Sequence, residues 1–99
     1  MKNTEKIQNI VSKIATQYGE KDNPWIHALT TIIGPYIFNM DDNHPGPTID
    51  KVVLEIISHI CPTNSSLEET FTLEIRNICR SVLLPLNHPW RIKNIHLLS

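Results

Sequence analysis

Apolar residues recur at helical spacing in separate blocks along this chain, and that periodicity restricts it to a helical fold. Ile7, Ile10, Val11, Ile14, Ala15 and Tyr18 fall at i, i+3, i+4, i+7, i+8 and i+11, one stripe on one helix face. Thr4 is placed to cap that helix, and Gly19 stands where a left-handed residue closes one. Asn23-Pro24 restarts the pattern, with Asn as cap and Pro at the first helical position. Trp25, Leu29, Ile32, Ile33, Tyr36, Ile37 and Met40 follow at helical spacing, and Ile26 and Phe38 widen the arc. This second helix is expected to be the most buried. Pro35 lies within it, cannot donate to the carbonyl of Thr31, and predicts a kink or a split into two short helices.

The segment Asp41 to Thr48 reads as a loop, because Pro45, Gly46 and Pro47 crowd together there. A third helix is expected with Thr48 as its cap. Its face is Ile49, Val52, Val53, Ile56, Ile57, Ile60 and Cys61. The β-branched content suits a strand, but the length and the 3.6-residue period decide for a helix. Ser65 and Ser66 stand three residues before Glu68 and Glu69, a doubled capping-box pattern for a fourth helix from about Ser66 to Leu84. Leu67, Phe71, Ile75, Ile78, Cys79, Val82 and Leu83 form its face. Pro85 and Pro89 then break the chain, and Trp90 to Ser99 reads as a short fifth helix or an irregular tail.

The expected architecture is all-α: an antiparallel four-helix bundle over about residues 4–84, with a kinked second helix and a C-terminal tail or short fifth helix over 85–99. All 99 residues are expected to form one domain. Only 2 Ala occur against 15 Ile, so the helices must rely on packed faces rather than on intrinsic propensity.

Chemistry-bearing motifs are scarce. There is no Cys-x-x-Cys, no His-x-x-x-His, no nucleophile elbow and no glycine-rich phosphate loop. His59 and Cys61 are two apart on a helix and point away from each other. His44 beside Asp41 and Asp42 is a loop cluster of the solvated kind. The expectation is no catalytic residue, no cofactor and no metal. Both cysteines fall on core faces and read as small hydrophobes. If the Pro62–Ser65 link closes a helical hairpin, Cys79 lies ~15–20 Å from Cys61, beyond the ~7 Å that a disulfide spans. Two free thiols are expected. Met1 to Lys6 has no apolar run behind it, so no signal peptide is expected, and a cytoplasmic location follows.

Charge supplies the one asymmetry. From Ile75 to Ser99 there are Arg76, Arg80, Arg91 and Lys93 and no acid, while the chain as a whole has a net charge of -1. A balanced chain is not a nucleic-acid coat. A helix-turn-helix built on the third and fourth helices would open its recognition helix on Ser66-Leu67-Glu68-Glu69, which repels phosphate. The acid-free end, with Trp90 among its cations, is instead the candidate partner surface. Arg80, Trp90, Arg91 and Lys93 are its residues, since Trp and Arg dominate binding hot spots. A protein partner is one occupant, and peripheral contact with anionic lipid headgroups is another. Two simpler readings are a solvated tail matched to the helix dipole, and a Trp90 that folds back to cap the apolar end of the helices.

Pro45-Gly46-Pro47-Thr48-Ile49-Asp50-Lys51-Val52-Val53, followed by a fourth helix carrying Glu74-Ile75-Arg76-Asn77, resembles the immunity proteins of pediocin-like bacteriocins. The likeness in helix order spans about Ile7 to Leu84. Pro35, the two cysteines and the Pro85/Pro89 tail depart from the family pattern. The resemblance implies a cytoplasmic antiparallel four-helix bundle without enzymatic activity. It implies protection of the producing cell by docking on a sugar phosphotransferase permease that the bacteriocin has engaged, with the C-terminal part setting specificity. A helical adaptor or regulator that binds a soluble protein is the alternative from another class.

Overall fold

The structure is a computed structural model that describes residues 2–18, 23–60 and 68–94, excepting the side chains of Tyr18, Asn23, Ile60, Glu68, Glu69 and Phe71. Among the described residues five helices follow one another: α1 (Asn3–Tyr18), α2 (Asn23–Phe38), α3 (Pro45–Ile60), α4 (Glu68–Leu83) and α5 (Pro89–Lys93). No strand occurs among the described residues. The principal packing pairs are α1 with α2, α2 with α3, α3 with α4, and α1 with α4. The radius of gyration is 13.1 Å, as expected for a compact chain of this length.

The periodic faces are the core. Ile7, Ile10, Val11, Ile14 and Ala15 of α1 are buried, as are Leu29, Ile33 and Ile37 of α2. Ile49, Val52, Val53 and Ile56 of α3 meet Ile75, Cys79, Val82 and Leu83 of α4 in the same cluster. Burial of each Ile, Leu and Val side chain among them contributes roughly 1.5–3 kcal/mol before conformational entropy is counted.

Cross-helix contacts link particular turns of different helices. Gln17 Nε2 donates to Glu74 Oε2 at 2.9 Å, and Lys13 Nζ donates to Ser81 Oγ at 3.4 Å. Later positions of α1 therefore pair with earlier positions of α4. Between α2 and α3, Tyr36 Oη donates to Glu55 Oε1 at 3.3 Å, while Trp25 lies 5.4 Å from His59, ring centroid to ring centroid. The order is again reversed.

Four expectations need correction. Of the kink or split expected at Pro35, the split does not occur: α2 runs without a break through it. Pro35 and Thr31 are both exposed, so the turn in which the Thr31 carbonyl loses its donor lies on the solvent side of the helix. Asn39 closes the helix, its backbone N–H and Nδ2 both donating to Pro35 O, at 3.1 and 2.8 Å. Nor is α2 the most buried helix. Ile26, Ile32 and Tyr36 pack only against the edge of the core, and Phe38 is 59% exposed, because its apolar arc is wider than the surface its neighbours cover.

The third correction is that α3 begins at Pro45, not after Thr48. N–H groups in a first helical turn have no intrahelical acceptor, so Pro45 and Pro47 forfeit no helical bond there. The loop shortens to Asn39–His44 and is held by Asp41, whose Oδ1 accepts from Asn43 N–H at 2.9 Å. At the start of the chain, Lys6 N–H already donates to Lys2 O at 3.0 Å. Thr4 is thus inside the first turn of α1 rather than its cap.

Gly19, Cys61, Pro62, the capping pairs at Ser65 and Ser66, Leu67 and the apolar residues after Asn94 lie outside the described residues, so the Cys61–Cys79 separation does too. Cys79 is free and fully buried. Burial pushes its thiol up to about 12, against a smaller opposing pull from the Arg76 charge. The thiolate is the reactive form. Cys79 should therefore resist Ellman's reagent at pH 8 in the folded protein and react fully in denaturant. Rapid labelling of Cys79 under native conditions, located by peptide mapping, would contradict the burial.

Candidate docking site

The acid-free segment enters this end of the molecule through the last turns of α4. Leu84 N–H donates to Arg80 O at 3.1 Å, and the chain then turns through Pro85–His88. His88 caps α5: its Nδ1 accepts from Trp90 N–H at 3.1 Å, with Pro89 in the first turn. Asn94 ends α5, its backbone N–H and Nδ2 both donating to Trp90 O, at 3.0 and 2.7 Å. The sequence expectation of a short helix opening on Pro89 thus applies to Pro89–Lys93.

Three of the four expected site residues meet structural neighbours. Trp90 is half-buried and packs against the hydrophobic core. The Arg80 guanidinium carbon lies 5.6 Å from the centroid of the Trp90 ring, a cation–π contact worth roughly 0.5–1 kcal/mol at a partly exposed site. Arg91 Nη1 donates to Leu84 O at 2.9 Å, satisfying a carbonyl that the end of α4 leaves without a helical partner. Lys93 is exposed and joins none of these contacts.

Trp90 borders two depressions. One, of about 680 Å³, runs between α1 and α4 and is lined by Lys13, Gln17, Glu74, Ile78 and Ser81 besides Trp90. The other, of about 460 Å³, lies between the start of α3, the second half of α4 and α5. Sequence reasoning did not place Asp50 and His88 here, and it counted Arg76 only as part of a charge run. In the structure Arg76 Nη1 donates to Asp50 Oδ1, which joins α3 to α4 at the rim of the smaller depression. No local signal links Asp50 to Arg76 or Gly46 to Trp90. The only hint was the proline-rich turn that doubles the chain back.

The remaining candidates stay apart from this site. His44 Nδ1 lies 3.0 Å from Asp41 Oδ2, and Asp42 joins no such pair among the described residues. The His44 hydrogen bond, helped by the Asn43 N–H, holds the Asp41 carboxyl below its ordinary value. Among the described residues no three His, Cys, Asp or Glu side chains group as metal ligands, and no helix is long and apolar enough to cross a membrane. No family model matches the chain, and neither a curated protein nor a solved structure matches it.

Proposed function

We propose that this chain is a non-catalytic binding protein, a bacteriocin immunity protein that protects its producer by docking on a bacteriocin-engaged membrane permease from the cytoplasmic side. The fold that goes with this reading is an antiparallel four-helix bundle with α5 as an appended docking element. The reversed pairings of α1 with α4 and of α2 with α3 support that topology.

The observation that carries the docking reading is the position of Trp90. It is seated on the core yet half-exposed, faced by Arg80, and on the rim of two depressions. An aromatic anchor held rigidly beside an Arg is the usual centre of a binding hot spot. Lys93 adds an exposed cation one helical turn from Trp90. Such a surface needs no chemistry, only complementarity.

The test is expression in a host sensitive to a pediocin-like bacteriocin. Protection is expected from the natural chain. The Arg80→Gln, Lys93→Glu double variant should accumulate equally but protect less, because its docking face loses cations. A folded, normally accumulated natural chain that gives no protection against a panel of such bacteriocins would overturn the immunity reading.

A further inference from the structure

The smaller depression has an unbalanced charge. Its walls carry Asp50, Arg76, Arg80 and His88, with apolar surface from Ile49, Leu84 and Trp90. Asp50 and Arg76 neutralise each other. Among the described residues no carboxylate lies within ion-pair distance of Arg80, whose guanidinium lies over the face of Trp90. Arg80 is thus a cation backed by an aromatic ring on the wall of this depression, without a counter-charge among the described residues. Pro45 and Pro47 have no N–H to offer from the start of α3. Gly46 between them keeps a first-turn N–H at the pocket wall, and the Arg80 guanidinium supplies the uncompensated charge.

We propose that this pocket receives the carboxylate side chain of an acidic segment on the protein partner, paired with Arg80 and packed against Trp90. A guanidinium presents a planar fork that matches a carboxylate with two parallel hydrogen bonds. The apolar walls suit the methylenes of a Glu side chain. A lipid surface fits less well: membrane attraction comes from several cations on one open face, whereas here one uncompensated cation sits in a concavity. The inference rests on the docking reading for its biological occupant, but its test does not.

The test is a titration of the ¹⁵N-labelled full chain with a blocked Glu-Leu-Glu-Leu peptide, followed by amide, indole and arginine side-chain resonances. Saturable shifts are expected at Gly46, at the Trp90 indole and at Arg80 Nε, and none from a Gln-Leu-Gln-Leu peptide. Arg80→Gln should weaken binding about tenfold, as loss of one charge pair does, while Arg80→Lys should keep part of it. Unshifted resonances elsewhere in each variant's spectrum serve as the folding control. The absence of saturable shifts, or equal affinity in Arg80→Gln, would overturn the proposal. So would shifts produced only by phosphatidylglycerol vesicles, which would make the pocket a lipid site. No bacteriocin enters this titration, so its failure removes the pocket and leaves the protection assay standing. Intact peptide binding without protection removes the immunity reading instead.

Discussion

Ile56→Ala should destabilise the fold by roughly 2–5 kcal/mol, the range found when a fully buried aliphatic side chain is cut back to Ala. Ile56 is 0% exposed and lies in the core cluster that α3 shares with α1, α2 and α4. Its removal loses the transfer free energy of three carbons and leaves a cavity that four packed helices cannot fully close. Against a total stability of about 5–15 kcal/mol for a typical domain, that is a large fraction. Ile57→Ala should cost less than Ile56→Ala, because Ile57 is only half-buried at the edge of the core. Glu55→Ala should cost under about 1 kcal/mol, since it loses only a long hydrogen bond from Tyr36. Urea unfolding with unchanged slopes would read these differences as shifts in midpoint. Equal midpoints for Ile56→Ala and Glu55→Ala would mean that α3 presents another face to the core.

Trp90→Ala should abolish protection and also lower the melting temperature. The side chain is half-buried against the core and faces Arg80, so truncation should cost about 1–3 kcal/mol. For a domain of this size each kcal/mol shifts Tm by roughly 4–8 °C. Removing Trp90 to Ser99 should do the same, since it also removes the Arg91 bond to Leu84 O. The four apolar stripes read from the sequence end before Pro85, and Trp90 extends the packed surface beyond them. Loss of activity in either variant therefore mixes docking with folding. Lys93→Glu separates the two, because Lys93 is exposed and makes none of the contacts that hold α5. It should leave Tm unchanged, weaken partner binding, and reduce the salt dependence of that binding. Full activity after Trp90→Ala would remove this end of the molecule as the docking surface.

The core was legible because a helix repeats every 3.6 residues, so Ile7 to Ala15 and Ile49 to Ile56 announce both their secondary structure and their buried faces. Proline was misjudged because its cost depends on position. In the first turn of α3 it removes no helical bond, and at Pro35 it removes one on an exposed turn. Residue type alone carries neither fact. At the candidate site, Trp90 and Arg80 were legible by composition and charge. Their contact was not, and neither was the Arg76–Asp50 pair, because a single sequence holds no signal for which turn of one helix meets which turn of another. The structure also divides the roles of the four cations that the sequence treated as one run. Arg76 bridges helices, Arg91 bonds the Leu84 carbonyl, Arg80 faces Trp90, and Lys93 is exposed.

The brevity of α5 has a consequence for how this end of the molecule responds to its surroundings. Five residues are far too few to sustain a helix in water, so α5 owes its shape to Trp90 on the core and Arg91 on Leu84. It is a cooperative unit smaller than the fold, with an opening free energy below that of global unfolding. A ligand that engages only the closed form stabilises α5 by mass action. In native-state hydrogen exchange, occupancy of this surface would then register first as slowed exchange at the Ile92 and Asn94 amides, with the α3 core amides lagging behind.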